Sequence, residues 1–290
     1  MLKKTITFLQ MIKFEHTIFA LPFAFMGALL GSVAINHVLP TWAQIGWVLM
    51  AMFGARSAAM GLNRLIDRVS DARNPRTKGR AIPAGLLKIG EVIAFIIFSF
   101  VLLFWAAAEL EPLSMKLLPI AVVMLVLYSY TKRFTWLCHV VLGLTVALAP
   151  LGGWAAVTGK VDASAMVLYL TISFWIAGFD IIYACQDVEF DAKEGLHSIP
   201  VRFGVAGALK IAKAFHIATA LGFVLLLFLA NLGWWYIAGM VIAYLILFYE
   251  HHIVSPTDLS RLQTAFFNMN GVLSIVVFTF TLIDLVVQSH

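Results

Sequence analysis

Long runs of apolar residues repeat along the whole chain and constrain the fold more than any other feature. A helix needs about 20 apolar residues to cross a bilayer core about 30 Å thick. The chain has 290 residues, of which 62% are hydrophobic and 12% are charged, against about 25% charged in an average soluble domain. These values exclude a disordered chain and argue against a soluble globular enzyme. They predict an all-α, polytopic membrane bundle that forms one membrane-embedded domain over residues 1–290.

Nine apolar runs are separated by polar or turn-forming residues, so the sequence predicts nine transmembrane helices. Residues 1–16 are expected to form an interfacial segment and not a cleaved signal peptide, because Lys13, Glu15 and His16 interrupt the first apolar run. The predicted spans are 17–35, 43–62, 90–110, 115–131, 135–157, 163–185, 207–230, 233–249 and 264–287.

The distribution of lysine and arginine predicts the orientation of the chain in the membrane. Of the 20 lysines and arginines, 17 fall on one predicted side, Lys116 and Lys160 fall on the other, and Arg56 lies inside a span. The positively charged side is expected to be cytoplasmic, together with the N-terminus and two long polar connections at about 63–88 and 186–206. The asymmetry accounts for the net charge of +5 without a nucleic-acid partner. The lipid bilayer is the implied surrounding, and no obligate protein partner is inferred.

Two acidic motifs lie on the predicted cytoplasmic side. In the first, Asn63, Asp67 and Asp71 are separated by four residues each. In the second, Asp187 and Asp191 have the same separation. Residues at i and i+4 share one face of a helix, so each motif is expected to present a stripe of oxygen atoms. Carboxylates suit Mg²⁺, which takes one or two of them and fills its other positions with water and phosphate oxygens.

The densest basic segments of the chain lie beside these acidic motifs. Guanidinium and ammonium groups are good contacts for phosphate oxygens, so the combination predicts a site that clamps a diphosphate. The other interpretation is an ordinary solvated loop at a membrane surface, but the repeated spacing on one side favours the functional interpretation. The basic residues in question are Arg64, Arg68, Arg73, Arg76, Lys78, Arg80, Lys132 and Arg133.

The motifs resemble those of the UbiA superfamily of intramembrane prenyltransferases. The family pattern is NxxxDxxxD after the second helix, YxxxK after the fourth and DxxxD after the sixth. The resemblance covers the whole chain in the number and order of its spans. The matching residues are Asn63, Asp67, Asp71, Tyr128, Lys132, Asp187 and Asp191.

This resemblance implies Mg²⁺-dependent transfer of a polyprenyl group from a polyprenyl diphosphate to a ring carbon of an aromatic acid. The bundle would then enclose a central cavity that holds the isoprenoid tail and keeps water from the allylic cation. The resemblance assigns metal ligation and catalysis to Asp67, Asp71, Asp187 and Asp191. It assigns diphosphate binding to Asn63, Arg64, Lys78, Arg80, Tyr128 and Lys132.

Two further stretches, 13–23 and 61–64, are similar to bacterial members of quinone pathways. Such members are described as 4-hydroxybenzoate polyprenyltransferases of ubiquinone biosynthesis, and a similar branch prenylates a dihydroxynaphthoate on a menaquinone route. The resemblance therefore implies a multi-pass protein of the bacterial inner membrane. The candidates for binding the aromatic acceptor are Arg56, Arg133, Asp180 and His16.

Simpler roles remain open for several of these residues. A charged Arg56 inside a membrane has a high free-energy cost unless it is paired with an acidic residue. Its expected partners are Glu15 or Asp180. His16 is also compatible with a polar cap at the membrane interface. The run from Glu250 to His252 is expected to be an interfacial cluster, because adjacent histidines point in different directions on a helix. Among other classes of protein, a membrane transporter also fits many apolar spans with acidic motifs, but a carrier is expected to hold its site near the midplane.

Overall fold

The computed structural model describes residues 2–13 and 17–288. All its regular elements are helical, apart from an isolated β-bridge between Ser255 and Asp258. Short π-helical segments at Ser32–Asn36 and Thr264–Met269 continue α2 and precede α13. The α-helices are α1 (Leu2–Met11), α2 (Thr17–Gly31), α3 (Trp42–Ile66), α4 (Arg68–Arg73), α5 (Ile89–Ala108), α6 (Pro112–Thr131), α7 (Cys138–Val146), α8 (Leu148–Thr158), α9 (Ala163–Ala184), α10 (Val188–Lys193), α11 (Ile199–Leu229), α12 (Trp234–His252) and α13 (Asn270–Gln288).

Every predicted span coincides with one helix or with two consecutive helices. Within the described residues, seven segments are long and apolar enough to cross a membrane by length and composition. A shorter apolar helix covers Leu21–Asn36, and α12 fills the predicted span 233–249. The all-α polytopic membrane bundle is therefore confirmed, whereas the count of nine spans stays a prediction. The seven segments are Trp42–Ile66, Ile89–Ala108, Pro112–Thr131, Cys138–Thr158, Ala163–Lys193, Ile199–Leu229 and Thr264–Gln288.

Two differences between the helices and the predicted spans affect the architecture. The predicted span 135–157 is divided into α7 and α8, which meet at Ala147. The predicted span 207–230 begins earlier, at Ile199, because Ser198 caps the helix by accepting a hydrogen bond from the Val201 N–H. Within this helix Gly204 has a φ of 70°, a left-handed conformation that favours glycine, so α11 is kinked there.

Backbones pack directly against one another between α2 and α8. A Cβ atom on Gly27 would lie 2.0 Å from the carbonyl oxygen of Pro150, and one on Gly153 would lie 2.3 Å from that of Ala24. Small residues allow close approach of membrane helices, which associate largely through such packing. The main buried core beside this contact includes Trp154.

Asp284 of α13 caps the start of α12. Its carboxylate accepts hydrogen bonds from the backbone N–H groups of Gly233 at 2.6 Å, Trp235 at 3.1 Å and Tyr236 at 3.3 Å. The residue is buried, and the first N–H groups of a helix have no partner within the helix itself. Asp284 therefore ties the two helices together through groups that the helix cannot satisfy alone.

Asp284→Ala is expected to reduce the free energy of unfolding by about 2 kcal/mol, because it removes a carboxylate cap and leaves three N–H groups, including that of buried Tyr236, without this partner. Thermal unfolding of the purified protein in detergent would measure this change. Asp162→Ala is the matched control, since Asp162 caps α9 through one bond to the Ala165 N–H and its loss should cost less. An equal or smaller effect at Asp284 would contradict the assignment.

Candidate active site

The first acidic motif spans the junction between α3 and α4. Helix α3 ends at Ile66, and Asp67 has φ −87° and ψ 1°. The hydrogen bonds between i and i+4 nevertheless continue, since the Asp67 N–H donates to the Asn63 carbonyl at 2.9 Å and the Asp71 N–H donates to the Asp67 carbonyl at 2.8 Å. The i, i+4 spacing that was predicted to align Asn63, Asp67 and Asp71 is thus kept across the break between α3 and α4. The Asn63 amide donates to the Asp67 carboxylate at 3.1 Å.

Asp67 is buried and is neutralised by two cations from the end of α6. Its Oδ2 lies 2.7 Å from Lys132 Nζ, and its Oδ1 lies 3.4 Å from Arg133 Nη2. Arg133 also donates to the Ile66 carbonyl at 2.9 Å and lies over the Tyr130 ring. A buried carboxylate needs such compensation, so the predicted diphosphate contact Lys132 is held directly against the first motif.

Asp71 receives its cation from the loop that follows the motif. Arg80 Nη1 donates to both carboxylate oxygens of Asp71, at 2.7 and 2.8 Å. The Thr77 hydroxyl donates to the Asp71 carbonyl at 3.0 Å, which holds the loop against α4. The structure thus places the predicted diphosphate contact Arg80 beside the carboxylate.

The second motif is joined to the same loop. Arg76 binds Asp187 in a bidentate manner, with Nε at 2.9 Å from Oδ1 and Nη2 at 2.5 Å from Oδ2. Asn74 Nδ2 also reaches Asp187, at 3.4 Å, and the Arg76 guanidinium lies over the Tyr183 ring. Burial alone would lower the pKa of Arg76, but the hydrogen bond and charge of Asp187 raise it above its usual value. Arg76 is therefore a permanent cation between the two motifs.

Asp191 differs from the other three motif carboxylates. Among the described residues, no lysine or arginine lies within ion-pair distance of it. Asp191 interacts electrostatically with Asp187 and with Lys132. It therefore lies near the ion pairs that these two residues form with Arg76 and Asp67. The backbone N–H of His197 donates to the Lys132 carbonyl at 2.7 Å and holds the end of α6 against the segment after Asp191.

The other predicted diphosphate contacts have varied positions. Arg64 is buried and donates to Asn63 Oδ1 at 3.1 Å and to the Met11 carbonyl at 3.4 Å. The Tyr128 hydroxyl donates to the Ala59 carbonyl at 3.0 Å. Lys78 is exposed on the loop. Arg64 and Tyr128 are thus held within the bundle, whereas Lys78 points to the surface.

An apolar cavity of about 400 Å³ lies between α3, α5, α6 and the pair α7 and α8. Tyr128 and Arg56 line one end of it and Ser114 lines the other. Lys132 lies one helical turn beyond Tyr128, so this end of the cavity is next to the charged site. Arg56 Nη2 also donates to the Lys13 carbonyl at 3.4 Å.

Asp180 has a partner that the sequence did not indicate. Its Oδ2 lies 2.6 Å from Nδ1 of His139, which is buried in α7. His139, and not Arg56 as one expected alternative had it, is therefore the partner of Asp180. The available signal was a histidine within an apolar span, where polar side chains are rare. Glu15 and His16 lie outside the described residues.

The donor atoms of the site fit Mg²⁺. Both motifs supply carboxylate oxygens, the ligands that this hard cation takes in small number alongside phosphate oxygens. Within the described parts of the chain, His, Cys, Asp and Glu side chains do not form a group of three or more able to hold a metal alone. A magnesium ion here would complete its coordination with water or phosphate oxygens.

The fold and this site define a membrane-embedded prenyltransferase. The chain belongs to the UbiA prenyltransferase family, whose profile matches residues 20–272. It is 30% identical over 239 residues to the 4-hydroxybenzoate octaprenyltransferase of Vibrio cholerae, an alignment that covers 81% of this chain and 82% of that one.

Solved structures share the fold. A UbiA homolog from Aeropyrum pernix K1 superposes with a TM-score of 0.84 at 29% identity, over 93% of this chain and 98% of that one. A UbiA homolog from Archaeoglobus fulgidus bound to GPP and Mg²⁺ superposes with a TM-score of 0.76 at 19% identity, over 97% and 99% of the two chains. Because the chain belongs to a family of prenyltransferases, it is an enzyme, and the transporter interpretation is wrong.

Proposed function

We propose that this chain transfers a polyprenyl group from a polyprenyl diphosphate to a ring carbon of an aromatic acid, in an Mg²⁺-dependent step of ubiquinone or menaquinone biosynthesis. The observation that carries the proposal is that cations from one loop and from the end of α6 join both aspartate motifs into one charged site, which lies beside an apolar cavity. Arg76 joins the loop after the first motif to Asp187, and Lys132 joins α6 to Asp67. A diphosphate with an isoprenoid tail has the same division into charged and apolar parts.

The donor's diphosphate is assigned to the charged site. Asp67, Asp71, Asp187 and Asp191 would hold Mg²⁺, which supplies positive charge to the diphosphate as the C–O bond ionises. The arginines and lysines that neutralise these carboxylates are close enough to contact phosphate oxygens once the carboxylates ligate metal. Positive groups aimed at the developing charge of a leaving group lower the barrier to its departure.

The donor's isoprenoid tail is assigned to the apolar cavity. Gly152 lines this cavity, and a Cβ atom built on it meets no atom within 4 Å. A larger side chain there would occupy cavity space without displacing the backbone. The cavity walls also keep water from the allylic cation until the aromatic ring attacks.

Gly152→Leu is expected to lower kcat/KM for a long donor, such as one with eight isoprene units, by about tenfold or more, with a smaller effect on geranyl diphosphate. Product formation with the two donors in parallel gives the ratio. Gly46→Leu is the matched control, since Gly46 also has open space at Cβ but lies on α3 outside the cavity lining. Equal losses with both donors would contradict the placement of the tail.

The aromatic acceptor is assigned to the region between the cavity and the second motif. Arg133 and Arg56 are the candidates for its carboxylate, and Asp180, held by His139, is the candidate for its hydroxyl group. The relative from Vibrio cholerae carries the name of a 4-hydroxybenzoate enzyme, which supports 4-hydroxybenzoate as the acceptor. A dihydroxynaphthoate of a menaquinone route is the second candidate, because it offers the same pairing of hydroxyl and carboxylate groups.

The proposed topology has nine membrane spans around the cavity, with α2 and its π-helical continuation as the first and α12 as the eighth. The excess of lysine and arginine at the end that carries both acidic motifs supports a cytoplasmic active site and N-terminus. The similarity to the bacterial relative from Vibrio cholerae supports a location in the bacterial inner membrane.

The direct test is prenyl transfer by the purified protein in detergent with Mg²⁺, geranyl diphosphate and either 4-hydroxybenzoate or a dihydroxynaphthoate. We expect release of pyrophosphate and a C-prenylated acid with one of the acceptors, and no product after EDTA. Absence of product with every phenolic acid offered would overturn the choice of acceptor class. Running the acceptors in parallel decides between the two routes.

A further inference from the structure

A second cavity, of about 330 Å³, lies between α11 and α12. It shares no lining residue with the apolar cavity and contains none of the motif residues. We call it the α11–α12 groove. Its lining includes Lys213, His216, Ile217, Phe248, His251 and His252.

The polar part of the groove lies toward the end of the bundle that carries the acidic motifs. Val254 and Leu262, which follow α12, pack with Cys185 and Ile199, which flank the second motif. His251 and His252 lie in the last turn of α12 at this end, and both line the groove together with Lys213. The groove therefore has a basic part near the membrane surface and apolar walls further along the helices.

The floor of the groove is held by buried hydrogen bonds. His216 is 3% exposed, and its Nε2 lies 3.3 Å from the Trp175 carbonyl oxygen. Because a carbonyl only accepts, this nitrogen donates, and in neutral His216 the Nδ1 atom then accepts from His251 Nε2 at 2.9 Å. The ring of His251 is thereby fixed, and in neutral His251 the Nδ1 atom is a hydrogen-bond acceptor.

A buried carboxylate supports this floor from behind. Glu250 is fully buried, its Oε1 accepts from the Asn270 amide at 3.0 Å, and its Oε2 lies 3.9 Å from His216 Nδ1. The expectation that Glu250 belongs to an interfacial cluster is therefore wrong, because its side chain turns into the bundle. Among the described residues that line the groove there is no carboxylate, and Lys213 supplies its one lysine or arginine side chain.

We propose that the α11–α12 groove binds an anionic phospholipid of the surrounding bilayer. Lys213 and His252 contact the headgroup phosphate, and an acyl chain lies along Ile217 and Phe248. The charge complements an anion, and the change from basic to apolar walls matches the boundary between headgroup and acyl chain. A bilayer lipid is the occupant because the groove opens between two outer helices and is separate from the diphosphate site.

Native mass spectrometry of the full-length protein tests the proposal, with dioleoyl-phosphatidylglycerol and dioleoyl-phosphatidylcholine as the probes. We expect one phosphatidylglycerol molecule to be retained at least about fivefold better than phosphatidylcholine. The same lipid should raise the melting temperature of the wild-type protein more than phosphatidylcholine does. Equal retention and equal melting temperatures with the two lipids would overturn the proposal, without need of any variant.

Variants locate the bound lipid. Lys213→Ala with His252→Ala should remove the preference for phosphatidylglycerol, whereas Lys210→Ala, which deletes the same charge from the same helix outside the groove lining, should keep it. Unchanged preference in the double variant, or its loss in Lys210→Ala, would contradict the site. Displacement of phosphatidylglycerol by geranyl diphosphate in EDTA, with loss of prenyl transfer in Lys213→Ala, would assign the groove to the donor instead.

Discussion

Asp67→Ala is expected to reduce prenyl transfer by about a thousandfold or more, the largest effect of any single substitution in this chain. Asp67 is 2% exposed and is the point where Asn63, Lys132 and Arg133 meet. Removing it takes away a proposed metal ligand and also leaves two cations without their carboxylate. Prenylated product and released pyrophosphate, measured at saturating Mg²⁺, would give the loss.

Asp67→Asn separates loss of charge from loss of structure, because the amide oxygen can still accept from Lys132 while the negative charge is gone. It should fold like the wild type and remain nearly inactive. Glu189→Ala is the matched control, since Glu189 is an exposed carboxylate between Asp187 and Asp191 and its loss should leave activity within about twofold. Substantial activity in Asp67→Asn would argue that the residue orients its neighbours and does not ligate metal.

The membrane architecture was readable from the sequence because one physical requirement dominates it. A span must be apolar over about 20 residues, and every predicted span accordingly coincides with a helix or a pair of helices. The acidic motifs were readable for a similar reason, since a spacing of four residues survives even where the helix breaks at Asp67. Boundaries set by local geometry, such as the kink at Gly204, left no periodic signal.

The pairing of charges could not be predicted. In the loop after the first motif, Arg80 binds the nearby Asp71, whereas Arg76 binds Asp187, which lies 111 residues further along the chain. Spacing along a sequence decides contacts only within one helix, and this loop is a series of turns. His139 was missed for the same reason, because its partner Asp180 lies on another helix.

These pairings suggest how the site avoids the cost of placing four carboxylates close together, two of them buried. In the described structure Asp67, Asp71 and Asp187 each lie against a lysine or arginine. Like charges so close together would otherwise repel and suffer from burial. In the proposed function these cations stand in for the magnesium, and they exchange carboxylate oxygens for phosphate oxygens when metal and donor bind.

Arg76→Ala is therefore expected to separate metal binding from catalysis. Without its bidentate partner, Asp187 is free to ligate metal, so the affinity for Mg²⁺ in the absence of donor should rise by several-fold. Prenyl transfer should nevertheless fall by about a hundredfold, because the leaving diphosphate loses a permanent cation. The two effects have opposite signs, which general damage to the fold would not produce.

Calorimetric titration of Mg²⁺ into the donor-free protein, with prenyl transfer at saturating Mg²⁺, measures both effects. Arg73→Ala is the matched control, because Arg73 lies on the same segment but pairs with Glu194 at 3.1 Å near the surface, where ion pairs contribute little. It should change neither quantity by more than about twofold. If Arg76→Ala weakened Mg²⁺ binding together with activity, Arg76 would be a support for the second motif, and the exchange of carboxylate for phosphate would be wrong.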